Sequence, residues 1–360
     1  MKRSVLISGI AVMAFSVMIT ACNKKQSAKT PAQKVVRINF QTGILCGAPV
    51  HVAMKTGLFD EELAAIGQKA EYVQVVEGGA TLAEMIASGK IDAGYGLYAT
   101  QLQAIENGLP ISYASGIHVG CTKYYARQDS GIYSAADLRG KKIGVPGLAD
   151  SSVMNLRRKL MDLGIGVTAD NNEVEFIAYA SSDLAIALNN GAVDAIGAHD
   201  PIATKAELAY GFRKILDTGI DEKFRNEYCC MQFVTHKLVK ENPEGAAAVT
   251  RAIMKASAFV EAEPRAAAKL QIENNFVAGD LDFNAALLDE LNFIPSRSLG
   301  KKTFEAAARQ LQDAGVLKKS TDLKEYVDNG FIELPGVPDG YTYDKETGSY
   351  IEINGIRTGF

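Results

Sequence analysis

Five cysteines and four histidines are the residues of this chain best suited to covalent, redox or metal chemistry. Four cysteines fall well inside the chain and can be grouped with two of the histidines: Cys46, His118, Cys121, His199, Cys229 and Cys230. Thiolate and imidazole groups suit zinc and other soft metals, and without Cys230 this set is a soft-metal set by atom type. It lacks the close paired spacing of zinc sites, however, because its members come from several separate segments. From spacing alone we predict no metal site and no cofactor.

The fifth cysteine, Cys22, stands at the end of a secretory signal. Lys2 and Arg3 precede a largely apolar run over residues 5–19, and Ile19-Thr20-Ala21-Cys22 resembles the lipobox at which a peptidase cuts before a lipidated cysteine. A membrane-spanning anchor is disfavoured, since the run is at or below the limit of about 17 to 25 residues. We predict a signal peptide over 1–21, lipidation at Cys22 and a disordered leash over 22–34.

Other chemical signatures are weak. We find no Ser-His-Asp arrangement, no glycine run that would cradle phosphate and no paired catalytic carboxylates in the sequence. The net charge is only −4, and the basic residues are scattered among acidic ones. A nucleic-acid partner is therefore not expected.

A short segment of the sequence occurs twice. Ile86-Ala-Ser-Gly-Lys-Ile-Asp-Ala93 matches Leu188-Asn-Asn-Gly-Ala-Val-Asp-Ala195 without a gap. Each copy closes an amphipathic helix with a glycine and opens a β-branched strand, although a match this short also arises by chance. We predict two lobes with one shared plan, a ligand site between them, and structural roles for Asp92 and Asp194.

The elements around these copies alternate between strand and helix. Strands are predicted at 35–40 and 142–145, each followed by a loop and a helix. From Asn242 onward the pattern is helical, with one helix over 243–262, and a terminal hairpin is predicted between 341 and 353. The length after the leash suits two domains.

Several segments together resemble bacterial extracytoplasmic solute-binding lipoproteins of ABC importers. The resemblance is to the nitrate/sulfonate/taurine-type family, which also includes binders of thiamine-pyrimidine precursors. It covers about residues 36–320 and is carried by Ala48-Pro-Val-His-Val-Ala-Met-Lys-Thr-Gly-Leu-Phe59, Ala87-Ser-Gly-Lys-Ile-Asp-Ala-Gly94, Asp129-Ser-Gly-Ile132, Asp137-Leu-Arg-Gly-Lys-Lys-Ile-Gly-Val145 and Asn190-Gly-Ala-Val-Asp-Ala195.

The resemblance implies an α/β protein with a type II periplasmic-binding-protein fold, in which two lobes close over a cleft about a hinge of two crossover strands. The crossings are expected near 124–127 and 231–235, with the late helices returning to the first lobe. The predicted bounds are 35–125 plus 234–330 for the first lobe, 126–233 for the second, and 331–360 for a C-terminal extension. Ligand contacts to both lobes would favour the closed state.

In such a fold the loops at the carboxyl ends of the strands face the cleft, which picks out the candidate ligand contacts. They are Gln41, Thr42, Cys46, Gly79, Tyr95, Tyr98, His118, Cys121, Ser151, Ser152, Tyr179, His199 and Cys229.

Several candidates have an equally good structural explanation. Ser151 and Ser152 precede a helix, so they either cap it or present amides and hydroxyls to a ligand. The tyrosines either stack on a ligand or fill the interface between the lobes. We expect Asp200 to cap the helix that follows it rather than to bind ligand.

The internal cysteines have more than one outcome in an exported protein. Their even number permits disulfides, and the resemblance allows a bridge from Cys46 to Cys121 within the first lobe. A bridge from either residue to Cys229 or Cys230 would cross the cleft and hinder closure. Buried free thiols are the commonest outcome.

The candidate loops contain no arginine or lysine placed to clamp an anion. Lys123 and Arg127 on the crossover are the nearest cations. A neutral, aromatic or weakly cationic ligand is therefore expected, and anion binding by helix amides stays open.

The leading hypothesis is a monomeric, lipid-anchored receptor, outside the cytoplasm, that delivers a small polar organic molecule to an ABC permease and ATPase. The ligand would be a sulfonate-, nitrate- or taurine-like anion or a pyrimidine-like heteroaromatic. Two alternatives remain, a pyrimidine-synthase-like enzyme on the same fold and a sensor lipoprotein without a transport role. Tyr228-Cys-Cys230 matches only part of the cysteine-rich run of the synthases, and the export signal does not suit their chemistry.

Overall fold

The computed structural model describes residues 34–76 and 79–357, so the predicted signal, Cys22 and the leash lie outside the described residues. Fourteen strands are described: β1 (Val35–Phe40), β2 (Lys69–Gln74), β3 (Ala93–Leu97), β4 (Ile111–Val119), β5 (Thr122–Ala126), β6 (Lys142–Val145), β7 (Val167–Thr168), β8 (Asn171–Asn172), β9 (Glu175–Ala178), β10 (Ala195–His199), β11 (Arg213–Asp217), β12 (Tyr228–Thr235), β13 (Gly340–Asp344) and β14 (Ser349–Ile353).

The described α-helices number thirteen: α1 (Ala48–Thr56), α2 (Leu58–Ala64), α3 (Gly79–Ala87), α4 (Tyr98–Glu106), α5 (Ser151–Asp162), α6 (Leu184–Asn189), α7 (Ile202–Tyr210), α8 (His236–Glu241), α9 (Pro243–Ala262), α10 (Pro264–Glu273), α11 (Leu281–Asp289), α12 (Arg297–Asp313) and α13 (Leu323–Gly330). Short 3-10 helices occur at Leu45–Gly47, Ala135–Leu138 and Ser181–Asp183. None of the described helices combines the length and the apolar character needed to cross a membrane.

Two five-stranded sheets form the centres of two α/β lobes. The first sheet has the order β2-β1-β3-β12-β4 and the second has the order β11-β5-β10-β6-β9. Each sheet contains three adjacent parallel strands and, beside them, one antiparallel strand that the chain enters from the other sheet. When the strand order of the second sheet is reversed, the two sheets have the same topology, as the repeated segment predicts. Below, the first sheet with its helices is called the first lobe, and the second sheet with its helices is called the second lobe.

The chain changes sheet twice, earlier than predicted on both occasions. The first crossing occupies residues 120–121, because β5 already pairs with β10 and β11 in the second sheet. Gly120 and Cys121 both have left-handed φ values, of 83° and 74°, which turn the chain sharply enough to need only two residues. The return occupies residues 218–227, and β12 lies wholly in the first sheet.

The two aspartates of the repeat make the same backbone contacts in both lobes. Asp92 accepts a hydrogen bond from the Arg37 amide at 3.0 Å, and Asp194 accepts one from the Lys142 amide at 2.8 Å. In return, each aspartate amide donates to the carbonyl of the same partner residue at 2.8 Å. Each carboxylate therefore ties the start of one parallel strand to the next, which confirms the predicted structural role.

Four apolar clusters cover the two faces of each sheet. In the second lobe Ile143 packs with α5, whereas Ile196 on the neighbouring strand packs with α6. Burying each such aliphatic side chain contributes roughly 1.5 to 3 kcal/mol. The late helix α9 returns to the first lobe, as predicted, where Val249 and Ile253 share a cluster with Val36 of β1.

The C-terminal strands β13 and β14 pair as an antiparallel hairpin with Tyr343 opposite Tyr350. The hairpin packs against α9 through an edge contact between Phe259 and Tyr343, whose ring centroids are 5.1 Å apart. This extension therefore belongs to the first lobe.

We predict that Gly94→Ala destabilises the protein by about 3 kcal/mol, since overpacking and a left-handed alanine act together. Gly94 has φ 155°, and an added Cβ would lie 1.6 Å from Oδ1 of the fully buried Asn39. Asn39 cannot withdraw, because its amide bonds both the nitrogen and the carbonyl of Tyr95.

Urea unfolding measures this change. The matched control is Gly355→Ala, at an exposed glycine where an added Cβ meets nothing within 4 Å. Equal stability of the two variants would contradict the explanation.

Candidate functional site

A cavity of about 520 Å³ lies between the two lobes, at the carboxyl ends of the strands of both sheets. Equivalent loops of the two lobes face each other across it, namely those after β1 and β6, and the ends of β3 and β10. Its lining residues are Gln41, Ile44, Cys46, Leu82, Tyr95, Gly96, Leu97, Thr100, Gln101 and Cys230 from the first lobe, and Pro146, Gly147, Leu148, Ala149, Asp150, Ala180, Ser181, His199, Asp200 and Ile202 from the second.

An ion pair between His199 and Asp150 forms part of the wall contributed by the second lobe. His199 Nε2 lies 2.9 Å from Asp150 Oδ1, and Nδ1 lies 3.1 Å from the hydroxyl of Thr122. Burial alone would lower the pKa of His199, but the charge and hydrogen bond of Asp150 outweigh it and raise that pKa to about 9. At neutral pH the imidazolium of His199 and the carboxylate of Asp150 therefore carry opposite charges, and the pair has no net charge.

Asp200, the next residue, is held by the second lobe rather than offered to the cavity. Its Oδ1 accepts hydrogen bonds from the amide and hydroxyl of Thr204, at 3.1 and 2.7 Å, which agrees with the predicted capping role near the start of α7. Its Oδ2 lies 2.8 Å from Nζ of the buried Lys123.

Neither cation predicted to lie near the ligand lines the cavity. Lys123 also donates to Glu290 at 2.9 Å, and Arg127 donates to the Leu188 carbonyl at 2.9 Å. Among the described lining residues there is no lysine or arginine. The cavity therefore presents no uncommitted positive side chain in the part of the chain that the structure describes.

Four of the predicted ligand contacts line this cavity: Gln41, Cys46, Tyr95 and His199. Gln41 and Cys46 follow β1, Tyr95 is on β3, and His199 ends β10. The structure thus brings together residues from three separate strand ends and from both lobes.

Three other predicted contacts, Tyr98, Thr42 and Tyr179, lie away from the lining. Tyr98 is buried behind it, with its hydroxyl 3.5 Å from Arg158. Thr42 is exposed and accepts a hydrogen bond from Gln74, while the half-buried Tyr179 packs with the core of the second lobe. Gly79 is the first residue of α3 and stays a predicted contact.

Ser151 and Ser152 are the first residues of α5 and do not cap it. The cap is Asp150, whose Oδ1 accepts hydrogen bonds from the amide and hydroxyl of Ser152 at 2.8 and 2.6 Å. The capping explanation therefore applies to the residue before the serine pair. The hydroxyl of Ser151 is buried without a hydrogen-bond partner among the described residues.

All four internal cysteines converge on one buried cluster beside the cavity, where they are free thiols. Cys121 Sγ lies 3.1 Å from Cys229 Sγ and 3.9 Å from Nδ1 of His199. Cys46 and Cys230 line the cavity, whereas Cys121, Cys229 and His118 lie behind them. No disulfide joins Cys46 to Cys121 in this structure, although their two sulfur atoms lie within 4.8 Å of each other.

Besides Asp200, four polar residues of the lining are absent from the predicted contacts: Asp150, Ser181, Thr100 and Gln101. Asp150 directly precedes the serine pair, and an aspartate before a helix is itself a capping residue that the sequence shows. Thr100 and Gln101 lie in the first turn of α4, and nothing in their spacing marks them. The hydroxyl of Thr100 is buried without a hydrogen-bond partner among the described residues, so it is available to a ligand.

The comparisons with known proteins agree with this architecture. A family model described as NMT1/THI5 like matches residues 47–267, more than half of the chain. Among curated proteins, no match was found.

Solved structures give matches over nearly their whole length. The periplasmic aliphatic sulphonate binding protein SsuA from Escherichia coli is 17% identical, with a TM-score of 0.66 over 91% of this chain and 99% of its own. The periplasmic nitrate-binding protein NrtA from Synechocystis PCC 6803 is 14% identical, with a TM-score of 0.67 over 89% of this chain and 96% of its own. At these identities the matches establish the periplasmic-binding-protein fold.

Proposed function

This chain belongs to the NMT1/THI5-like family, and from that premise we propose that it is the solute-binding receptor of an ABC importer. It would close its two lobes on a small polar organic molecule and deliver that molecule to a permease driven by an ATPase. The proposal includes neither a catalytic residue nor a cofactor.

The observation that carries the proposal is the cavity shared by the two lobes. Its two halves come from equivalent loops of two sheets with the same topology, and only two short segments of chain, 120–121 and 218–227, join the lobes. A ligand that contacts both halves stabilises the closed state more than the open one, which is the physical basis of such a receptor.

We infer that the ligand is a neutral or weakly cationic heteroaromatic of the pyrimidine type. The charged side chains in the described lining are Asp150, His199 and Asp200, and each already has a partner of opposite charge. An anion such as a sulfonate or nitrate would therefore lose its hydration without gaining a free cation. The apolar side chains of Leu82 and Leu148, with the hydroxyl of Thr100, suit a flat polar ring better.

Leu148 supports closure over a ligand. It is a large apolar side chain that lines the cavity from the loop after β6 and yet is 61% exposed. Closure on a ligand would remove much of this surface from water, which favours the bound state.

The cellular setting proposed here follows the N-terminal sequence. Cys22 would carry the lipid that tethers the protein to the outer face of the cell membrane, and the leash would give the monomeric receptor reach toward its permease. Globomycin treatment of expressing cells tests this, because it blocks the cleavage of lipoprotein precursors. If Cys22 is lipidated, the treated cells should accumulate an uncut precursor of the same size as the Cys22→Ala precursor, which is the matched reference.

The ligand is tested by thermal unfolding of the purified protein with three probes: 4-aminopyrimidine, taurine and nitrate. We expect Tm to rise with 4-aminopyrimidine and to stay unchanged with the two anions, because only a ligand of the folded state raises Tm. A shift with taurine or nitrate alone would contradict the ligand class and leave the receptor proposal intact. No shift with any of a broad set of metabolites would contradict the receptor proposal itself.

A cavity-filling variant makes the test specific. We expect Ala180→Trp to weaken binding of the active probe by at least about 100-fold, because the indole occupies the space of the ligand while Ala180 itself is exposed and tolerates a larger side chain. Ala64→Trp, at an exposed position of α2 outside the lining, is the matched control. Isothermal titration calorimetry measures both affinities, and equal affinities would place the ligand elsewhere.

A further inference from the structure

The buried thiol cluster lies where the two lobes join. Cys46 comes from the 3-10 helix after β1, and His118 lies near the end of β4. Cys121 lies in the first crossing, and Cys229 opens β12 directly after the return crossing. All four side chains are less than 10% exposed. Segments that are far apart in sequence thus place soft donor atoms around one point.

Three of the donor atoms are close enough to share one ion, and the fourth lies beside one of them. The ligand atoms of Cys46, His118 and Cys121 all lie within 4.8 Å of one another, and Cys229 Sγ lies 3.1 Å from Cys121 Sγ. Sulfur atoms bound to one tetrahedral Zn²⁺ are about 3.8 Å apart, given Zn–S bonds of about 2.3 Å. Small side-chain movements would therefore convert the cluster into a four-coordinate site.

The imidazole of His118 is oriented as a metal ligand. Its Nδ1 donates to the Val119 carbonyl at 3.1 Å, which leaves the lone pair on Nε2. Nε2 is buried without a well-formed hydrogen bond to any residue that the structure describes, although the ring lies within reach of the Cys46 thiol. Metal-bound histidines have this second hydrogen bond to a carbonyl, which sets the tautomer and the ring orientation. A buried ring nitrogen left without a partner also calls for an explanation.

The backbone at Cys121 adds an independent observation. Cys121 is one of only two non-glycine residues in the described chain with positive φ, at 74°. An L-residue with a side chain adopts this conformation at a cost, and such residues concentrate where a side chain must be aimed at a ligand. Here the turn aims the Cys121 thiol at Cys229.

We propose that Cys46, His118, Cys121 and Cys229 form a binding site for a soft cation such as Zn²⁺ or Cu⁺ at the junction of the lobes. Three sulfurs and one imidazole select such ions over Mg²⁺ or Ca²⁺, which prefer oxygen ligands. Cys46 also lines the cavity, so the ion has a route in from the cleft. The proposal does not depend on which organic ligand binds in the cavity.

Zn²⁺ alone is the probe in the test. The full chain carries Cys22→Ala so that four thiols remain, is reduced and freed of metal, and is then titrated with Zn²⁺ against a chromophoric chelator. We expect one Zn²⁺ per chain and a rise in Tm. Co²⁺ should give the visible absorption of tetrahedral thiolate coordination with sulfur-to-cobalt charge transfer.

Two variants identify the ligands. Cys121→Ser and His118→Gln should each weaken Zn²⁺ binding by at least about 100-fold, because loss of a direct ligand exceeds the 10- to 100-fold typical of outer-shell residues. His236→Gln is the matched control: the ring of this exposed histidine bonds the hydroxyl of Ser112, away from the cluster, so the variant should bind Zn²⁺ as the parent does.

Circular dichroism of the metal-free variants shows whether each still folds. If a variant does not fold, the Co²⁺ spectrum of the parent chain still decides the matter, because a spectrum without sulfur-to-cobalt charge transfer overturns the proposal. Binding of less than one Zn²⁺ per chain, or an affinity unchanged in both folded variants, overturns it as well.

Discussion

Arg158→Met is expected to destabilise the protein by about 3 to 5 kcal/mol, since it leaves the Glu227 carboxylate largely buried without its cation. Arg158 is on α5 of the second lobe and is fully buried. Its Nη2 donates to both oxygens of Glu227, at 2.8 and 2.7 Å. Its Nε donates to Gln310 of α12 in the first lobe at 2.7 Å, and Nη1 lies 3.5 Å from the hydroxyl of Tyr98.

This guanidinium therefore links the second lobe to two helices of the first lobe and to the return crossing. Methionine keeps much of the side-chain volume, so the loss reports charge and hydrogen bonds rather than a cavity. Urea unfolding gives the free-energy difference.

Two comparisons make that result specific. The double variant Arg158→Met with Glu227→Gln should recover a large part of the loss, because no buried charge is then left unpaired. Arg309→Met removes an arginine that is 65% exposed and pairs with Glu305 one helical turn away, and it should cost less than about 1 kcal/mol. A loss at Arg158 no larger than this control would rule out the proposed link.

Lys123→Met is the second variant with a large expected effect, again about 3 to 5 kcal/mol at neutral pH. Lys123 lies on β5 and is nearly fully buried with Asp200, at 2.8 Å. Its Nζ also lies 2.9 Å from Glu290, which follows α11 in the first lobe. Removal of the ammonium leaves the buried carboxylate of Asp200 with only the hydrogen bonds from Thr204.

The loss should depend on pH in a defined direction. Without Lys123 an unpaired carboxylate is left buried, and its cost is relieved when it takes up a proton. The penalty should therefore shrink as the pH falls. Urea unfolding of the parent and variant from pH 7 down to pH 4 measures this trend.

Adding Asp200→Asn to Lys123→Met should restore stability and abolish the pH trend, because asparagine keeps an acceptor for Thr204 without a charge. Lys324→Met is the exposed control, since Lys324 and its partner Asp328 are both exposed. A penalty in the Lys123 variant that is constant with pH would show that packing, rather than charge, is lost.

Much of the fold was predictable because it is encoded locally. The apolar strand at 142–145 and the long helix at 243–262 have the predicted bounds. The repeat was informative because Gly89 and Gly191 both adopt left-handed φ, at 68° and 72°, which ends a helix in the same way in each lobe.

The site was predictable only in part, because strand ends can be located from sequence but the direction and partner of each side chain cannot. Gln41, Cys46, Tyr95 and His199 line the cavity, yet Tyr98 turns to Arg158 instead. The cap of α5 was assigned one residue too late, since Asp150 and Ser151 are both good capping residues and only the hydrogen bond to Ser152 separates them.

The sequence by itself determined the periodic elements, the duplicated lobe plan and the family resemblance, because these depend on neighbouring residues and regular spacing. The tertiary structure decided which distant groups meet. Asp150 reaches His199 and Arg158 reaches Glu227, 49 and 69 residues away, and Cys121 reaches Cys229 across 108 residues. The sequence spacing argued against a metal site because the ligands of many metal sites lie close together in the sequence, and these do not. The two crossings bring the same atom types together by topology, which no local pattern records.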